Sequence, residues 1–319
     1  MKIKVEFPTF VQRFRVSVLF RTSCFALAAV LVCASPTVHA AQGQMIITWG
    51  GNAPGWNQKL HVNAVRMGCS SAPNGCVQAA QDIAHQQHVN RVFMAILLTP
   101  SSVNYAQQYS ALSAVNPVLY SVGFDDFVSQ IERLHGSPAN AADLLDQFVG
   151  GLKSANPGLH FGVTIYEDEL SSPVLTSSTM ANVRSRTDFV HLFIHYRQDG
   201  PNFPMYVRQA KELFPNAQII AGSYPMDRID YLPCSKNGRA CASDQEISLF
   251  EKTLDVQLQT LQNGSTAGIE FYPGHFGNIS KAGLWKEPRS CRPDRRPECI
   301  ANSTKMEDYA AKELSQTTF

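Results

Sequence analysis

Short apolar runs alternating with helix-patterned stretches constrain this chain more than any other feature. Met45–Trp49, Arg91–Leu98, Phe161–Tyr166, Phe189–His195, Gln218–Tyr224 and Gly268–Tyr272 are rich in β-branched or aromatic side chains. Each is bounded by Gly, Pro, Asn or Asp, the pattern of a buried strand. Val118–Val122 is a weaker seventh. Between them, Asp125–Leu134, Ala141–Ser154, Met205–Leu213 and Asp244–Leu261 place apolar residues at helical intervals. Ser243 reads as the cap of the last, with Glu246 completing a capping box. Strand then helix, repeated, implies right-handed crossovers and a parallel sheet with helices outside. No Gly-x-Gly-x-x-Gly follows the first strand and no phosphate loop occurs, which weakens the nucleotide-binding form of such a sheet. The expected fold is α/β, a single (β/α)8-like TIM-type barrel, irregular or incomplete because the eighth strand is not located.

The barrel is expected to span residues 41–319. Residues 1–40 read as a signal peptide. Lys2, Lys4, Arg13, Arg15 and Arg21 form a basic start, and Cys24–Ala34 is too short an apolar stretch to span a bilayer as a helix. Val38-His39-Ala40 then offers small residues for cleavage before Ala41, with an uncleaved anchor as the competing reading. The expected location is secreted or periplasmic, with no stable membrane insertion after cleavage. Removing that segment takes five basic residues from 27 and one acidic residue from 26, leaving 22 against 25, a net charge of −3. Such a balance lacks the footprint nucleic acid requires. The basic clusters Lys286–Arg289 and Arg292–Arg296 contain acids and read as a solvated loop.

Six cysteines follow residue 40, in three local pairs: Cys69/Cys76, Cys234/Cys241 and Cys291/Cys299. Each pair encloses turn-forming residues. Short loops close at low entropic cost, so three local disulfides are expected in an oxidising compartment. Zinc is disfavoured because the spacing exceeds the usual two to four residues and no His lies inside a pair. With the thiols bridged and no Gly-x-Ser-x-Gly elbow, thiol and serine nucleophiles drop away.

In parallel barrels the functional groups gather at the C-terminal ends of the strands. There the sequence places Trp49, Asn52 and Trp56, then Thr99-Pro-Ser-Ser102, Tyr166-Glu167-Asp168-Glu169, His195-Tyr196-Arg197, Tyr224, Asp227, Arg228, Tyr272 and His275. Aromatic faces and polar groups on one rim suit a sugar. His191 and His195 cannot share a metal if their run is a strand, because four residues then separate them by ~13 Å. His85 and His88, neighbours in an expected helix, lack a third ligand nearby and read as structural or surface residues.

In this layout, from Met45 to Gly277, the chain resembles secreted (β/α)-barrel glycoside hydrolases. The resemblance implies an acid/base Glu after a middle strand and a second Glu on a late strand, here Glu167 and Glu270. No Asn precedes Glu167, and Asp168 and Glu169 compete for the acid role; if Val163 and Ile165 face the helices, Asp168 points inward instead. Glycosidic cleavage needs one carboxyl to protonate the leaving oxygen and another to stabilise or attack the cationic carbon. Glu270 interrupts an apolar run, so it is either that second group or half of a buried ion pair with Arg197 or Arg228. Trp49, Asn52, Trp56, His195, Arg197, Tyr224, Asp227, Tyr272 and His275 are the expected substrate contacts. The partner is then a glycan or oligosaccharide, and no cofactor is expected. Two rivals remain open: a non-catalytic carbohydrate-binding barrel, and a metal-dependent hydrolase using Asp168, His195 and Asp227.

Overall fold

The computed structural model describes residues 43–50, 54–135, 138–225, 243–272 and 299–317. Eight parallel strands close into a barrel in sequence order. They are β1 (Met45–Trp49), β2 (Ala64–Gly68), β3 (Val92–Ile96), β4 (Leu119–Phe124), β5 (His160–Tyr166), β6 (Phe189–Phe193), β7 (Gln218–Ser223) and β8 (Gly268–Phe271). Pairing of β1 with β8, with Ile47 opposite Glu270, closes the ring. The helices between strands are α1 (Pro54–Lys59), α2 (Pro73–Gln87), α3 (Pro100–Val115), α4 (Phe127–His135) and α5 (Pro138–Leu152). They continue as α6 (Pro173–Thr176), α7 (Ala181–Ser185), α8 (Phe203–Leu213), α9 (Ser243–Gln262) and α10 (Cys299–Gln316). The barrel belongs to one unit, Gln42–Phe319. No helix among the described residues is long and apolar enough to cross a membrane.

The two-residue period of the strands divides their side chains between two cores. Ile46, Met94, Val163, Ile165, Val190, Leu192 and Ile269 face outward and pack with helix residues such as Phe148, Phe203 and Leu254. Met45, Ile47, Ala64, Phe93, Phe189 and Ile220 fill the lower barrel. Above this plug lies a charged layer in which Arg66, Thr164, His191 and Glu270 are all buried. An aromatic layer follows at the C-terminal end.

The unlocated eighth strand is β2. Its run, Ala-Val-Arg-Met-Gly, is interrupted by Arg66, whose charge finds its partner only across the barrel. Helix α3 also escaped the sequence reading, and so did the role of Thr99-Pro-Ser-Ser102. Thr99 caps α3 by accepting from the Ser102 N–H (3.2 Å), and the Ser102 hydroxyl accepts in return from the Thr99 N–H (3.1 Å). Helix α9 begins at Ser243 itself, one residue earlier than read. Strand β6 ends at Phe193, two residues short of the expected end at His195, which frees His195 to leave the sheet.

Cys69 and Cys76 form a disulfide with their Cα atoms 5.8 Å apart, joining the end of β2 to the first turn of α2. Cys234, Cys241 and Cys291 lie outside the described residues, as does the side chain of Cys299.

Candidate active site

The charged layer starts from Arg66, on β2. Its guanidinium donates to both carboxylate oxygens of Glu270 (3.4 Å each), to the Thr164 hydroxyl and to Asp125 (3.4 Å). His191 Nδ1 hydrogen-bonds Glu270 Oε2. Glu270 is 0% exposed. Burial alone would raise its carboxyl, but Arg66 and His191 outweigh that and hold it below the usual carboxylate range. Burial and Arg66 together push the His191 imidazole down. The layer therefore holds an ionised Glu270, a cationic Arg66 and a neutral His191 that donates its Nδ1 proton. The ion-pair partner expected for Glu270 was Arg197 or Arg228; the structure supplies Arg66. Arg228 lies outside the described residues. Arg197 is buried and donates to the backbone carbonyl of Tyr224 (2.9 Å), so it braces the rim from behind.

Over this layer runs a row of aromatic rings. Trp49 receives the Arg66 guanidinium 4.5 Å from its ring centre and meets Tyr272 edge-on at 5.4 Å. Tyr272 meets Tyr224 edge-on at 5.9 Å, and Tyr224 packs on Phe193 at 5.0 Å. The Tyr224 hydroxyl donates to Tyr166 (3.3 Å), whose own hydroxyl donates to Asp126 (3.2 Å). Tyr166 lies flat against His195, with centroids 3.8 Å apart and planes 11° apart. Burial, with Tyr224 and Asp126 nearby, drives the Tyr166 hydroxyl far up, so it stays protonated. These residues end β1, β5 and β6 or directly follow β6, β7 and β8, and all stand at one end of the barrel.

The acidic corner is built by the turn that follows β5. Glu167–Ser171 forms a 3-10 helix pinned by Glu169, whose carboxylate accepts from the Tyr166 N–H (2.9 Å). Val163 and Ile165 do face the helices, and Asp168 is the more exposed acid. Glu167 turns back into the protein with 3% of its side chain exposed and accepts from the backbone N–H of His195 (2.8 Å). Its other oxygen, Oε1, is buried without a hydrogen-bond partner. His195 Nδ1 stands 3.0 Å from Asp168 Oδ1 and 3.9 Å from Glu167 Oε2. Burial pushes Glu167 up to about 7 against the pull of the His195 N–H and imidazole, and burial likewise raises Glu169 to about 7. Burial pulls His195 down, but Asp168, Glu167 and Glu169 more than offset it, and the imidazole ends above its ordinary value.

Of the expected contacts, Trp49, Tyr166, Glu167, Asp168, His195, Tyr224 and Tyr272 form this continuous rim. Asn52, Asp227, His275 and the side chain of Trp56 lie outside the described residues. Sequence reasoning missed Arg66, Asp125 and Asp126, and weighed His191 only as a metal ligand. A charge inside the apolar run Ala64–Gly68 was the available signal for Arg66. For Asp126 the signal is conformational: its φ is 45°, a left-handed value at a non-glycine residue.

No family model matches this sequence, and no curated protein matches it. Solved structures share its fold. An exo-β-1,4-mannosidase from Opitutaceae bacterium strain TAV5 matches at a TM-score of 0.51 and 9% identity, covering 87% of this chain and 60% of the mannosidase. A glucosidase from Croceicoccus marinus matches at 0.53 and 12% identity, covering 86% and 69%. A β-mannanase from Alicyclobacillus acidocaldarius matches at 0.50 and 9% identity, covering 86% and 98%. The barrel is one that glycoside hydrolases use. This chain spans about three fifths of the mannosidase's length. Fold alone does not assign a reaction.

Proposed function

We propose that this protein is an exported glycoside hydrolase that cleaves a glycan at the C-terminal mouth of its barrel, with Glu167 as the acid/base. The observation that carries the reading is the Glu167 carboxyl, nine-tenths buried, with one oxygen unsatisfied, at the end of an aromatic row. An orphaned buried oxygen is costly unless something completes it, and a protonated Glu167 can donate from it to the glycosidic oxygen of a bound sugar. Trp49, Tyr272 and Tyr224 offer ring faces and edges to the sugar, and the His195–Asp168 pair holds the acidic corner in place. Asn52, Trp56, Asp227 and His275 are proposed to complete the subsites.

Glu270 is the second carboxylate of the proposed pair, and its place defines what it can do. It lies one inward-facing position below Tyr272, or about 6.6 Å along the strand. Direct attack on a sugar requires Trp49 and Tyr272 to part; otherwise Glu270 acts by holding Arg66 beneath Trp49 and beside Asp125. The test is hydrolysis of a broad panel of aryl glycosides and polysaccharides by the exported form and by Glu167→Gln. Turnover should fall about 10²–10⁴-fold in the variant while the fold persists. Glycan binding without turnover by the wild type would identify a carbohydrate-binding barrel instead. Absence of both binding and turnover across the panel ends the proposal.

A further inference from the structure

The acidic corner has the donor set of a metal site. One atom each from Glu167, Asp168 and His195 can be chosen so that all three lie within 4.8 Å of one another. The two carboxylates come from successive residues of one turn, and the imidazole comes from the next strand's loop. A tetrahedral ion with bonds of ~2.0–2.1 Å holds its ligand atoms ~3.3–3.4 Å apart. The distances of 3.0 Å and 3.9 Å from His195 Nδ1 to the two carboxylates bracket that value.

The independent pointer to a ligand is again Glu167. Its side chain is 97% buried, yet its Oε1 has no partner. Such an oxygen loses its hydration without compensation, and a cation would restore it. The imidazole is already fixed in plane by its stack on Tyr166, whose hydroxyl is held by Asp126 and Tyr224. That is the second-layer bracing a metal ligand needs. Asp168 and His195 keep 41% and 34% of their side chains exposed, so the outer side is open to water, as in three-ligand zinc sites. A nitrogen among the donors favours zinc-type ions over calcium, which takes oxygen ligands.

We propose that Glu167, Asp168 and His195 bind a zinc-type divalent cation. The ion occupies the place of the hydrogen bond between Asp168 and His195 and takes the Glu167 carboxylate as its third donor. Resting on the glycosidase reading, the same ion is an inhibitor, because it takes Glu167 away from the glycosidic oxygen.

The experiment is calorimetric titration of the untagged exported chain with Zn²⁺, and with Ca²⁺ for comparison. One Zn²⁺ should bind per chain, and binding should weaken at least tenfold in His195→Ala and in Asp168→Asn. A His85→Ala/His88→Ala double variant, at the C-terminal end of α2 away from the rim, should bind as the wild type does. Asp168 is exposed, so its variant keeps the test valid if the His195 variant does not fold. Absence of stoichiometric binding, or binding unchanged in the folded variants, overturns the site. Zn²⁺ should also suppress any glycan turnover at the concentration at which it binds. Binding with undiminished turnover keeps the cation site and overturns Glu167 as the acid.

Discussion

Inside the barrel Glu270 is fully buried, and its ionised carboxylate is sustained there by Arg66 and His191. Removing one member of such a set leaves the others unpaired, which typically costs about 3–5 kcal/mol. Glu270→Gln should therefore lose that much stability in urea unfolding, while any activity loss beyond the unfolded fraction would measure a direct role in turnover. Full activity in a stable Glu270→Gln protein excludes both readings of the residue. Acid should act through the same layer. Glu270 sits below its ordinary value in the folded chain, so its contribution is complete above ~4.3 and fades as pH falls toward the folded value. His191 is also lowered, so its share is complete above ~6.5 and declines as pH drops. Unfolding free energy should thus fall in two stages, the first as pH drops below ~6.5 and the second as it drops below ~4.3, and a His191→Gln variant should lack the earlier stage. An unchanged first stage in that variant would remove His191 from the account.

Among the elements, β2 and α3 show what local pattern carries and what it does not. The α3 start was visible as Thr-Pro-Ser-Ser but was assigned to the rim, because a polar strand end and a capping box share their residue types. Their difference is geometric: Thr99 accepts from the backbone of Ser102. Thr99→Ala should cost about 1 kcal/mol, read as a shift of the denaturant midpoint with no change in rim chemistry. The Cys69–Cys76 bridge, by contrast, was legible, since a seven-residue separation in a Pro/Gly-rich turn closes locally. A Cys69→Ser/Cys76→Ser double variant should lose about 2–3 kcal/mol by the loop-entropy relation for so short a ring. Peptide mapping, without reduction, of the chain produced in an oxidising compartment should show this bridge, together with the proposed Cys234–Cys241 and Cys291–Cys299 bridges.

At the scale of the whole molecule, barrel closure depends on residues with no side chain at all. A methyl at Gly222 would overlap the Phe193 ring, and one at Gly123 would overlap the carbonyl of Gly162 on the next strand. Phe193 packs on both Tyr166 and Tyr224. Gly222→Ala should therefore disturb the aromatic row, changing near-ultraviolet circular dichroism and weakening glycan binding. Gly123→Ala meets backbone that cannot swing aside and should chiefly lower the melting temperature. The reverse outcome would mean that the row is not built against Gly222.

Period-two apolar runs, helical periodicity, caps and local cysteine pairs are short-range signals, and through them the sequence by itself determined a parallel strand–helix repeat with its aromatic and acidic residues at one end. Seven strands and the Glu167–His195 rim were legible for that reason. Arg66 and Glu270 stand 204 positions apart, and His191 and Glu270 stand 79 apart. No local rule could say whether Glu270 would face a sugar or an arginine. Only ring closure decided that, by bringing β2, β6 and β8 around one interior, where a charge without a partner could not persist.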